Sequence, residues 1–99
     1  MFKIHEYYVY ILTNKGNTVL YVGITSEIKN RILEHKTGIY QGFTKKYGCS
    51  KLVYYEEYQW VQDAIAREKQ LKAGSRQNKI DLIIELNPEW KDLSEYWYD

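Results

Sequence analysis

Two short apolar runs, Tyr7–Thr13 and Val19–Ile24, flank the stretch Asn14-Lys15-Gly16-Asn17. The runs favour strands and the four residues between them favour a turn, so the pair predicts a β-hairpin. A helix is predicted over Glu27–Lys36, capped by Thr25 or Ser26 and stopped at Gly38. Residues 38–50 carry glycine and lysine without a period and read as a loop. Lys51–Tyr58 is a third strand and Trp60–Lys72 a second helix ended by Gly74, after which Ser75 caps a third helix through about Leu86. Asn87-Pro88 closes that helix and leaves an acidic, aromatic tail over 87–99. The order β-β-α-β-α-α predicts one α+β domain over residues 1–99, a small, mainly antiparallel three-stranded sheet flanked by helices, with its core over about 7–86.

Polar residues interrupt this pattern where it calls for core. On the first helix, Ile28, Arg31, Ile32 and His35 share one face, while Lys29, Asn30 and Glu34 lie opposite. On the second, Val61, Ala64, Ile65, Glu68 and Leu71 form the inward stripe, with Glu68 its one carboxylate. A buried carboxylate needs a cation, a metal or a cleft, and the plain structural solution is an ion pair with Arg31 or Arg67. In the hairpin, Tyr10 and Tyr21 pair directly or lie one step apart and share a sheet face. Gly23 weakens its strand, which argues for close approach by a ligand or another backbone.

Charge sharpens the picture through its distribution. The net charge is only +1, which argues against a generic DNA-coating protein, yet Lys29–Lys51 holds six cations against one acid. Arg67–Lys79 holds five against one, and Asp81–Asp99 reverses the sign. Two basic blocks can build a phosphate-facing surface, although solvated helix faces look the same in sequence. Cys49 stands alone, which excludes an internal disulfide or a cysteine-rich zinc site and suits a reducing cytoplasm. The start of the chain lacks a signal-peptide pattern, and no segment is long enough to span a membrane. Most of the eleven tyrosines and three tryptophans read as structural, as do Tyr54, Tyr55, Tyr58, Trp60, Trp90, Tyr96, Trp97 and Tyr98.

The spaced set Tyr10, Tyr21, Gly23, Arg31, His35 and Glu68 resembles the GIY-YIG endonucleases from Tyr8 to about Lys79. Tyr21-Val22-Gly23 stands for the family's YIG element, and Tyr8-Val9-Tyr10 stands where GIY is expected, keeping its final tyrosine. The literal string Gly38-Ile39-Tyr40 follows the first helix and reads as a helix stop. The 42–47 loop and the ending 87–93 look most like small stand-alone bacterial members, often labelled UvrC-like after the nuclease domain of the excision-repair protein. The resemblance implies hydrolysis of DNA phosphodiesters with one divalent cation, Mg²⁺ or Mn²⁺, held by Glu68. It implies that Arg31 holds the scissile phosphate and that Tyr10 serves as base, with Tyr21 positioning water or phosphate, although the two are exchangeable on sequence alone. His35 either accepts the proton onward or orients the tyrosine. Gly23, Lys29, Lys45, Lys46, Lys72 and Arg76 are the candidate DNA contacts.

Several positions depart from the family pattern. Tyr8 replaces the first glycine, Ile24 and Asn30 stand where some members carry lysine, and the late asparagine has no counterpart beyond Asn78. The expected activity is a structure-selective endonuclease of DNA repair or recombination, acting on branched or single-stranded DNA with or without a targeting protein. The alternatives are a nucleic-acid- or protein-binding module that keeps the fold without useful catalysis, and a structural domain with a buried ion pair.

Overall fold

A computed structural model describes residues 5–39 and 42–98. Met1–Ile4, Tyr40, Gln41 and Asp99 lie outside the described residues. Among the described residues seven elements follow one another: β1 (Tyr7–Thr13), β2 (Leu20–Thr25), α1 (Ile28–Thr37), α2 (Phe43–Tyr47), β3 (Lys51–Tyr58), α3 (Val61–Ala73) and α4 (Arg76–Leu86). The three strands form one antiparallel sheet in the order β2-β1-β3.

The central position of β1 explains its unbroken apolar run. Val9 through Thr13 are fully buried because both faces of this strand are covered. Val9 and Ile11 face a core shared with Val22, Val53, Ala64 and Leu71, so α3 and α4 lie on that side. Tyr10 and Leu12 face the opposite core with Ile28 and Ile32 of α1. A bulge between Ile11 and Leu12 lets consecutive residues Val53 and Tyr54 of β3 enter the first core. The hairpin turn is tied by Asn14, whose side-chain oxygen accepts from the Thr18 and Val19 amides, with Asn17 left-handed at φ 58°.

The helix ends follow local chemistry. Gly38 takes the left-handed conformation that stops α1, and the Ser75 hydroxyl accepts from the Asn78 amide to start α4. Glu27 is the first flanking residue of α1, and Thr25 supports it by accepting from the Glu27 amide at 3.0 Å.

Two parts of the chain differ from expectation. The loop over 38–50 contains α2, a single turn too short to display a period, bounded by Gly42 and Gly48, both at positive φ. The acidic tail is a docked segment, so the core extends past residue 86. Ser94 and Asn87 are buried, the Leu93 amide donates to the Leu52 carbonyl, and Trp97 packs edge-on to Tyr55. Asp92 ties this segment down by pairing with Lys36 while accepting from the Leu52 and Ser94 amides. Of the aromatics read as structural, Trp60 and Tyr96 stand exposed, whereas Tyr54 and Tyr58 donate to Glu56.

Candidate active site

Strand register and helix phase bring Tyr10, Tyr21 and His35 into contact. Tyr10 pairs with Gly23 and Leu12 with Tyr21, so the two tyrosines are diagonal neighbours on the α1 face, ring centroids 6.4 Å apart. His35 rises from α1 between them, 5.9 Å from the Tyr10 ring and 5.7 Å from the Tyr21 ring. Its Nε2 shares a hydrogen bond of 3.1 Å with the Tyr10 hydroxyl, and its Nδ1 one of 2.9 Å with Thr44 Oγ1. Both ring nitrogens are thereby satisfied, with one N–H donating and the other nitrogen accepting. Burial first, and the Arg31 guanidinium second, push the His35 pKa down to about 4, against an opposing effect of Glu34. His35 is therefore neutral at pH 7. Arg31 lies one turn earlier on the same helix, about a third exposed, with Nε 3.5 Å from Glu34.

Gly23 is explained by its neighbour on β1. A Cβ built there falls within 2.8 Å of Tyr10 Cε2 and closer still to Cζ and Oη. The space that suggested close approach by a ligand is filled by the Tyr10 ring. Tyr10 itself is fully buried, whereas Tyr21 is half-buried. Thr44 escaped the sequence reading because a lone threonine in an aperiodic stretch carries no signal, although it fixes the far side of His35 and is itself buried.

Glu68 stands on the other layer. Its side chain is 17% exposed and, among the described residues, ion-paired with Lys72 at 3.3 Å rather than with Arg31 or Arg67. Arg67 instead grips Glu56 through Nε and Nη2, which with the two tyrosine hydroxyls holds the Glu56 carboxyl below its usual range despite burial. The inward line of α3 runs through Ala64 and Leu71, with Val61 and Ile65 turned partly outward.

The two layers meet at β2, an edge strand. A cleft of about 440 Å³ is lined there by Leu20, Tyr21, Val22, Phe43, Lys72 and Lys79. Tyr21 faces it from the α1 side, and Lys72, the partner of Glu68, faces it from α3. Of the other candidate DNA contacts, Lys45 and Lys46 lie exposed on α2 beside the cleft wall. Lys29 lines a separate hollow with Glu6 and Tyr8, and Arg76 reaches the Asn17 carbonyl at the hairpin turn. Asn78 borders a third groove between α3 and α4, with Arg67 and Asp81.

The described residues hold no group of three or more His, Cys, Asp or Glu suited to a metal. A lone Glu68 fits a Mg²⁺ or Mn²⁺ ion that keeps its waters and takes further oxygens from a phosphate, and it does not fit a permanent protein cage. The Lys72 ammonium against the Glu68 carboxylate marks a position where positive charge is already favoured.

Comparison with known proteins places the chain in a family. The GIY-YIG catalytic domain matches residues 6–81, and the chain belongs to that nuclease family. It is 36% identical over 80 residues to a UPF0213 protein of Staphylococcus saprophyticus, covering 81% of this chain and 96% of the relative. It is 41% identical over 83 residues to a UPF0213 protein of Syntrophus aciditrophicus, covering 83% and 93%. The solution structure of a UPF0213 protein from Bacillus halodurans aligns with a TM-score of 0.57 at 26% identity, over 95% of this chain and 99% of that one. No helix among the described residues is long and apolar enough to cross a membrane.

Proposed function

We propose that this protein is a divalent-metal-dependent DNA endonuclease whose active site is the cleft at the edge of β2. The observation that carries the proposal is that one cleft is lined by Tyr21 from one layer and by Lys72, the ion-pair partner of Glu68, from the other. Glu68 would hold the cation, which when bound supplies positive charge to the phosphate and its departing oxygen.

The chain's own residues account for the other roles. Tyr21, unlike the fully buried Tyr10, lines the cleft, and as phenolate, its own hydroxyl proton having passed to solvent, it would take the proton of a water whose oxygen bonds to phosphorus. One P–O bond forms, another breaks, and the leaving oxygen is protonated from solvent. Tyr10 and neutral His35 form the rigid backing of Tyr21, and Thr44 fixes the imidazole. Arg31 supplies positive charge for the phosphate. Lys72 and Lys79 line the path of the strand and hold its backbone without reading bases, which suits selection by DNA structure in repair or recombination.

The test is cleavage of labelled duplex, single-stranded, flap and four-way DNA with Mg²⁺ or Mn²⁺, with EDTA and Glu68→Ala as controls. Metal-dependent products that vanish in the variant support the reading, and Tyr21→Phe should lose more than Tyr10→Phe. DNA bound but uncut by the unaltered protein favours a binding module.

A further inference from the structure

The short helix α2 presents two aromatic rings partly to solvent. Phe43 is 46% and Tyr47 43% exposed, one helical turn apart, with their ring centroids 4.7 Å from each other. Burying such rings in the core would stabilise the protein, so their exposure leaves apolar surface available to a ligand. α2 is nevertheless held firmly. Thr44 is buried against His35, the Cys49 amide donates to the Thr44 carbonyl at 2.8 Å, and Gly48 caps the turn. Phe43 lies against Tyr21 at 6.1 Å with ring planes only 26° apart, so a line of rings runs from the proposed active site out to Tyr47. Cations surround this line: Lys45 and Lys46 on α2, with Lys46 Nζ 5.3 Å from the Tyr47 ring centre, and Lys72 and Lys79 across the cleft.

We propose that Phe43 and Tyr47 form a stacking platform for an unpaired nucleobase of the DNA strand whose backbone enters the Tyr21–Lys72 cleft. The proposal rests on the nuclease reading of that cleft and names its substrate class. Flat apolar faces ringed by lysines match a base flanked by phosphates, and every base offers a π-face whatever its sequence. A base within a duplex is already covered on both faces by its neighbours. The platform therefore selects a base that is single-stranded, mismatched or extruded.

The experiment measures binding apart from cleavage. Affinity is measured with EDTA present, by fluorescence anisotropy, for a single-stranded oligonucleotide and for the same strand carrying abasic sites, which keep every phosphate and remove the bases. The abasic strand should bind roughly five- to a hundredfold more weakly, the range that base–aromatic stacking implies. Tyr47→Ala should lose the difference between the two strands and Tyr47→Trp should restore it, while circular dichroism confirms that both variants fold. Equal binding of the two strands by the unaltered protein, or binding of neither, overturns the platform. Cleavage with Mg²⁺ is scored on the same strands. Cutting without base dependence removes the platform and leaves the nuclease, whereas base-dependent binding without cutting removes the nuclease and leaves the platform.

Discussion

Replacing Gly23 by alanine adds one methyl group where the structure has no room for it. The new Cβ would stand within 2.8 Å of Tyr10 Cε2 and nearer to Cζ and Oη, against an ordinary carbon contact of about 3.5–4.0 Å. The ring must therefore retreat by roughly 1 Å, and it is fully buried in a cluster with Leu12, Ile32 and Leu52. Overpacking of this kind costs about 1–3 kcal/mol. The retreat also stretches the 3.1 Å hydrogen bond to His35, a further loss of about 1 kcal/mol. Restricting the unfolded chain offsets these by about 0.4–1 kcal/mol, so the net expectation is near 2 kcal/mol. For a domain of this size that lowers Tm by roughly 8–16 °C.

Urea denaturation followed by circular dichroism measures the effect, and a double-mutant cycle assigns it. In a Tyr10→Leu background, Gly23→Ala should cost at least about 1 kcal/mol less than in the unaltered protein. A Gly23→Ala variant as stable as the parent, or a cycle without coupling, would refute the claim that Tyr10 occupies the space above Gly23.

Three further outcomes follow from the same geometry. The His35 pKa in the folded protein, about 4, lies below its ordinary 6.5, so between these values the unfolded chain binds the extra proton. Stability from this group is complete above about pH 6.5 and lost as pH falls through 4, with a ceiling of about 3 kcal/mol, and His35→Gln should flatten the urea midpoint between pH 5 and 7. Thr44→Val leaves a buried imidazole nitrogen without its partner, which should cost about 1–3 kcal/mol and slow any cleavage, while Thr44→Ser restores both in unfolding and single-turnover assays. Asp92→Ala removes the partner of Lys36 and the acceptor for the Leu52 and Ser94 amides, so thermal unfolding should show a loss of about 2 kcal/mol.

The long elements were legible because each carries a period or a punctuating residue. β1 and β3 match their predicted bounds, and α1 carries Ile28, Ile32 and His35 inward on the predicted face. Gly38 and Ser75 work as read. What escaped depends on contacts distant in sequence. α2 is five residues long, and Thr44 gains its meaning only from His35, nine positions earlier. The 87–99 segment read as an acidic, aromatic tail beyond the core because the cation that meets Asp92 is Lys36, far away on α1. Glu68 was expected to pair with Arg31 or Arg67, but Arg67 is taken by Glu56 across the packing of α3 on β3, and Glu68 pairs instead with Lys72, one helical turn on. The resemblance favoured Tyr10 as base, and its complete burial is a tertiary fact that no local pattern carries.

The most direct test of the central claim is single-turnover cleavage of a 5′-labelled flap duplex with Mg²⁺, comparing the unaltered protein with Glu68→Gln. The account predicts discrete nicked products from the former and a loss of at least about a hundredfold in rate for the latter, with the fold retained. Equal rates for the two proteins, or no product from the unaltered protein on DNA it demonstrably binds, would contradict it.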